Sequence, residues 1–245
     1  MSSLACIKPL SMIAHDLDRY FRLHQGATDA LATWLQLQCH PVQVYALIQQ
    51  ILRDPKLLAE VSARSYQHGN GFLKVVLLDR GYKLRLHIWQ AGQACEENIH
   101  DHRWSFASTI LMGELHSEIW QDVAQAQPAD LITPEYVYHA ATAHSAAYKQ
   151  DVGMARLIRA THVTHRAGQA YVMPELRLHR ILNAGTATVA TMMCTAPTGQ
   201  GTTRLIPIST GIDPNVQPPR TSPAQLKAAL QAFLQQYRLE TLAHV

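Results

Sequence analysis

The hydrophobic rhythm of the chain changes at about residue 70. Before that point apolar positions recur every three or four residues, in TDALATWLQLQ (28–38), in VQVYALIQQIL behind Pro41 and in KLLAEVSARSY behind Pro55. That spacing lines one face of an α-helix, and proline suits the first helical position because the N–H it lacks would have no partner there anyway. Three short helices joined by tight turns are expected.

After His68-Gly69-Asn70-Gly71 the period becomes two. FLKVVLLDRGYKLRLHIW reads as two strands around Asp79-Arg80-Gly81, where glycine supplies the positive φ of a hairpin turn. In the second run Lys83, Arg85 and His87 alternate with Leu84, Leu86 and Ile88, which predicts one polar and one apolar face. HSEIWQD continues as strand, Pro128 and Pro134 mark a loop, and YVYHAATAHSAAYKQD fits no single period. Two further strands turn at Arg166-Ala167-Gly168, and another pair turns at Asn183-Ala184-Gly185. Many short strands at near-regular spacing predict a β-sandwich or a jelly-roll barrel. The stretch from Thr198 to Pro219 reads as irregular. Thr221 or Ser222 then caps a final helix with Pro223 at its first position, and its apolar stripe is expected to pack on its own domain. The chain thus divides into a helical region (1–68), a barrel (69–200) and a tail with a C-terminal helix (201–245).

Composition narrows the function classes. With 245 residues, 47% of them hydrophobic, the chain can bury one substantial core with an appendage. Lys and Arg number 21 against 18 Asp and Glu, and no basic run interleaves with aromatics, so nucleic acid is not an expected partner. Cys6, Cys39, Cys95 and Cys194 form no CxxC pair and read as reduced thiols. Lys8, Pro9, His15 and Asp16 interrupt the N-terminus before a signal-type apolar core develops, and no segment reaches spanning length. A cytoplasmic location without a membrane partner is expected.

The candidate chemistry lies in ENIHDHRWSFASTILMGEL (97–115). Side chains two apart on a strand project to one face, so His100 and His102 aim two imidazoles together. A surface cluster, a core pair and part of a metal site all fit this segment alone. The best third ligand is His179, in GQAYVMPELRLHRILN.

The two segments together resemble the paired motifs of the cupin superfamily. Those motifs are an HxH strand closed by a glycine eleven residues on (His100, His102, Gly113), then G-x5-P-x4-H-x3-N (Gly168, Pro174, His179, Asn183). Leu176 stands where the second motif usually carries glycine. Phe106 stands where most cupins carry a glutamate, and its neighbour Ala107 cannot bind metal either. The resemblance implies a mainly β fold, the cupin double-stranded β-helix (jelly-roll barrel), with three neutral histidines as ligands. A site without a carboxylate keeps more positive charge on a divalent ion and favours anionic co-ligands. Iron(II), Fe(2+), is the expected cofactor; nickel, copper, manganese and zinc also suit imidazole.

Within the cupins, residues 41–197 are similar to the cysteine dioxygenase group of thiol dioxygenases. That likeness implies iron(II) on His100, His102 and His179, a thiolate and O2 bound side by side, and a sulfinic acid as product. The positions of the family's Cys–Tyr crosslink fall on Phe106 and about Cys194, so that crosslink cannot form. Its Ser-His-Tyr relay falls near Ala190, Met192 and Cys194, which cannot pass protons in the same way. For the arginine that anchors the substrate carboxylate, Lys74 is nearest along the chain and Arg85 lies on the adjacent run; either can make a charge-assisted hydrogen bond, or stand solvated on its strand.

Trp104 and Phe106 share the parity of the histidines and wall the pocket or belong to the core. Asp101 is expected to face solvent or a loop. Glu96 and Glu97 are the alternative carboxylate ligands, His87, His162 and His165 are read as structural, and Asn183 is expected to bond backbone in a turn. The expected partners are a small anionic molecule and O2. A three-histidine oxygenase acting on an enolisable substrate and a barrel that binds without turnover are the alternatives.

Overall fold

The computed structural model describes residues 7–24, 28–139, 148–199, 202–208 and 220–242. Helices come first: α1 (Leu10–His24), α2 (Thr28–Gln38), α3 (Pro41–Arg53) and α4 (Pro55–Arg64). The expected three are present, and α1 is an addition. Its buried face, Leu10, Ile13, Ala14, Leu17 and Tyr20, has the same helical spacing as the others. Asp54 caps α4 by accepting the amides of Lys56 and Leu57.

Two antiparallel sheets follow. The first runs, in spatial order, β1 (Tyr66–Gln67), β2 (Leu73–Arg80), β3 (Tyr82–Trp89), β12 (Val189–Thr195), β6 (Phe106–Met112) and β10 (Ala170–Met173). The second runs β4 (Cys95–Glu96), β11 (His179–Asn183), β5 (Ile99–His100), β13 (Thr203–Ile206), β8 (Leu131–His139), β9 (Tyr148–Arg166) and β7 (Glu114–Asp122). Because β7 also pairs with β11, the second sheet closes into a ring. The chain crosses between sheets at both predicted turns, where Gly168 and Gly185 hold positive φ. This is the double-stranded β-helix, or jelly-roll barrel.

Parity sorts the first sheet into two faces. Leu73, Val75, Leu77, Leu84, Leu86, Ile88, Ala190, Met192 and Cys194 belong to the large core shared with the helices. Cross-strand partners lie on one face, so the register places Lys74 beside His87, His87 beside Thr191, Arg85 beside Met193 and Met193 beside Ser108 on the opposite side, inside the barrel. On the polar face predicted for β3, Arg85 and His87 are therefore turned inward and buried, while Lys83 at the hairpin end stays partly exposed. A smaller core of Ile99, Trp120, Ala155, Leu157, Leu178 and Ile206 packs within the second sheet.

Two expectations change, and one segment left open is assigned. Pro134 lies inside β8, opposite Met154, and not in a loop. It is tolerated because, among the described residues, β13 pairs with Tyr136–Tyr138 and leaves β8 one-sided at the proline. The part of YVYHAATAHSAAYKQD that is described is strand, at the ends of β8 and β9; residues 140–147 lie outside the described residues. The segment read as irregular contains β13, whose Leu205 pairs with both His100 and Tyr136.

Helix α5 (Pro223–Leu242) ends the chain. Ser222 is its cap: the Ser222 hydroxyl accepts the Gln225 amide while Gln225 accepts the Ser222 amide. Leu226, Leu230, Phe233, Leu234 and Tyr237 are buried in the main core, as the stripe predicted. No helix among the described residues is long and apolar enough to cross a membrane.

Candidate metal centre

Antiparallel pairing of β5 with β11 sets His179 directly opposite His100, and His102 follows two residues past the end of β5. Sequence positions far apart thereby meet inside the barrel. The ring centroids of His100, His102 and His179 are 4.7 to 5.1 Å apart, and their ligand nitrogens lie within 4.8 Å of one another. Among the described residues no other histidine, cysteine or carboxylate joins this group.

Hydrogen bonds fix which nitrogen faces the centre. His100 Nδ1 stands 2.9 Å from the Asn98 carbonyl, and His179 Nδ1 stands 3.0 Å from the Arg177 carbonyl. A carbonyl only accepts, so each Nδ1 carries the proton and each Nε2 presents a lone pair. Burial, with the His100 ring second, pushes His179 down to about 3, and burial holds His102 well below the ordinary imidazole value. Those two ligands are thus neutral at neutral pH, as a metal requires. His179 is 3% exposed, whereas His100 and His102 are partly exposed and mark the open side.

Aromatic residues wall the group. Trp104 stacks on His102 at 5.2 Å and 16°, and Phe106 meets His102 edge-on at 5.5 Å and lies 6.0 Å from His179. Phe106 is buried with Met173 and Met193, so the position that carries a glutamate in most cupins is apolar. Glu97 is buried and accepts the Ile181 amide, outside the histidine group.

Both predicted cations lie on the inner face. Arg85 is 8% exposed, its Nε has no hydrogen-bond partner, and its guanidinium stands 5.6 Å from the Trp104 ring. The Lys74 ammonium lies over the rings of Tyr66 and Phe72 at 5.2 and 5.5 Å. Burial, then the charge on Arg85, holds it well below the ordinary lysine value. Both cations also lower His102, which puts them within electrostatic reach of the centre.

Two further histidines lie near these cations: His87, read from the sequence as structural, and His68, which the sequence does not single out. His87 is 7% exposed on the inner face beside Lys74, its Nε2 has no partner, and burial followed by Lys74 and Arg85 holds it well below its ordinary value. His68 stacks on Phe72 at 4.6 Å, and burial with Lys74, His100 and Arg85 pushes it down to about 2. The alternation of β3 carried the signal for His87; nothing in the sequence singles out His68.

Two other readings change. Asp101 is 1% exposed and ties β5 to β13 instead of facing solvent. Ala190, Met192 and Cys194 point into the helical core, away from the histidines, and the inner face of β12 carries Thr191 and Met193. Asn183 behaves as expected, its Oδ1 accepting the Gly185 amide.

No family model matches the sequence, and no curated protein matches it either. Solved structures resemble it at low identity. A protein from Klebsiella pneumoniae with a double-stranded β-helix domain is 12% identical, with TM-score 0.35 over 60% of this chain and 94% of that one. An RmlC-like cupin from Shewanella frigidimarina is 13% identical, with TM-score 0.34 over 55% and 84%. A DMSP lyase structure is 12% identical, with TM-score 0.32 over 53% and 49%, so the chain spans about half the length of that lyase chain. Likeness at this level carries nothing about activity. Fold and site together define a double-stranded β-helix with three convergent histidines suited to a divalent metal.

Proposed function

We propose that this chain is a mononuclear non-haem iron dioxygenase that oxidises a small thiol or related anion with O2. The observation that carries the reading is the convergence of three imidazoles, two of them locked with Nε2 toward a common point. Iron(II), when bound there, supplies coordination positions for an anionic donor and for dioxygen.

The chain's own residues do the rest. His100, His102 and His179 hold the ion without adding negative charge, which leaves it attractive to a thiolate. Trp104 and Phe106 exclude water from one side of the group. Arg85 and Lys74 take the substrate's second anionic end through charge-assisted hydrogen bonds. For a thiol the reaction RSH + O2 → RSO2H balances without an external reductant.

A second reading has its own support. Since the inner face of β12 offers Thr191 and Met193 in place of an imidazole and a phenol, a three-histidine oxygenase acting on an enolisable substrate fits the same pocket. The proposed location is the cytoplasm, where Cys39 and Cys194, neither in a disulfide, stay reduced. Oxygen uptake by iron-loaded protein across a panel of thiols, amino-thiols and diketones tests these readings. Uptake with a thiol and a mass gain of two oxygen atoms supports the first, uptake with a diketone the second. Uptake with none would leave a barrel that binds without turnover.

A further inference from the structure

We infer that Met173 and Met193 are the groups this barrel oxidises in itself: where iron and O2 meet at the three histidines without a substrate, one oxygen atom passes to a thioether of this pair and leaves methionine sulfoxide. This adds a modification site to the iron reading above and rests on that reading.

The register places both side chains on the inner face. Met173 stands directly opposite Phe106, which puts their Cβ atoms about 5 Å apart, and Met193 lies between Arg85 and Ser108 on the neighbouring strands. Phe106, Met173 and Met193 form one buried cluster, with Trp104 and Ile119 packed against it. Its aromatic members reach the ligands: Trp104 stacks on His102, and Phe106 meets His102 and His179. Ile119 is the cross-strand partner of His179. The two thioethers therefore lie one side-chain layer from the ring group.

Within that layer, chemistry selects the sulfurs. A thioether is soft and polarisable, and it gains an oxygen atom without breaking a bond to carbon. An indole gives up an electron readily, but the guanidiniums of Arg85 and Arg103 stand 5.6 and 5.9 Å from the Trp104 ring, and their charge opposes an indolyl cation. Phe106 and Ile119 are hydrocarbon. The balance differs from that of a thiol, which takes both oxygen atoms. A thioether takes one, the other leaves as water, and ascorbate supplies the two electrons and two protons as it becomes dehydroascorbate. The sulfoxide sets a polar oxygen among apolar side chains, so a barrel that idles without substrate loosens its own wall.

The remaining methionines are internal controls. Met12 and Met154 are 45% and 60% exposed, so an oxidant diffusing in solution reaches them first. Met192 is 1% exposed and adjoins Met193 in sequence, but it belongs to the helical core on the other side of the sheet. Burial alone does not separate Met192 from Met193; an oxidant arising inside the barrel does.

The test uses the full chain loaded with iron(II) without air, freed of excess metal by gel filtration, then given isotope-labelled O2, ascorbate and catalase but no substrate. Mass spectrometry of its peptides locates the label. The expected result is at least about tenfold more label at Met173 or Met193 than at Met192, Met12 or Met154, and none in zinc-loaded protein or in His179→Ala. Equal or greater label at any of the three controls overturns the inference, as does label that persists with zinc, or iron retained with neither methionine labelled. Label on the pair without substrate-dependent oxygen uptake keeps the inference and removes the dioxygenase; substrate-dependent uptake without label does the reverse. Loss of the iron on gel filtration removes both.

Discussion

Asp101 and Arg204 exchange two hydrogen bonds between the ligand segment and β13: the Arg204 amide donates to Asp101 Oδ1 at 2.7 Å, and the Asp101 amide donates to the Arg204 carbonyl at 3.3 Å. The Arg204 guanidinium in turn holds Asp122 and Glu135. The residue between His100 and His102 is thus the clamp that sets their backbone.

Asp101→Ala is expected to cost about 1–3 kcal/mol, because it takes the acceptor from the partly buried Arg204 amide. It is also expected to weaken metal binding about 10–100-fold by loosening the ligand segment. Asp101→Asn keeps an acceptor and should lose far less of both. Urea denaturation and competitive metal titration measure the two effects; equal behaviour of the alanine and asparagine variants would contradict the clamp.

His179→Ala removes the most buried of the three imidazoles, a side chain that belongs to none of the apolar core clusters. Iron retention after gel filtration should be abolished while the far-ultraviolet dichroism stays at the wild-type level. Unchanged iron per chain would end the ligand assignment.

Leu176 holds φ 60°, in the left-handed region, with its side chain exposed and its amide bonded to the His102 carbonyl. A left-handed non-glycine residue costs about 1–2 kcal/mol, of which the extra chain entropy of glycine returns part. Leu176→Gly is therefore expected to raise stability by up to about 1 kcal/mol, read as a higher urea midpoint. A lower midpoint would show that Leu176 contributes packing that its exposure hides.

Acid should weaken the fold through His68. Its folded value, driven to about 2, lies below the ordinary 6.5, so the unfolded chain binds more protons between those limits. The sign follows: this contribution is intact above pH 6.5 and declines as pH falls toward 2. His68→Asn keeps an acceptor for the Asn70 amide, now on Nδ1 at 3.2 Å, and removes the titration. Urea midpoints measured from pH 7 to pH 4 should fall less steeply in the variant; parallel slopes would assign the acid sensitivity to other groups.

Much of this was legible in the residues, for identifiable reasons. His100, His102 and His179 stand in two motifs whose spacing the barrel geometry dictates, and Gly113 closes the first because it needs φ +74° with the Thr188 carbonyl 2.6 Å from any added Cβ. The helices announced themselves by period and proline. What stayed hidden depends on neighbours: Pro134 reads as a strand breaker until β8 is seen to be one-sided there, and Thr203–Ile206 is too short to show a period. Arg85 and His87 looked like a wetted face because alternation tells apart two sides of a strand without telling which is covered.

The two-sidedness of β12 has a consequence for anyone rewriting this protein. Met192 is lodged among Ile13, Trp34, Leu35 and Val44, so an imidazole engineered at that position would be driven into the hydrocarbon of the helices. Thr191 and Met193 are the addresses from which new chemistry can reach the barrel's contents. Which side of a strand a residue occupies decides, before its chemistry does, whether it can meet anything held in the barrel.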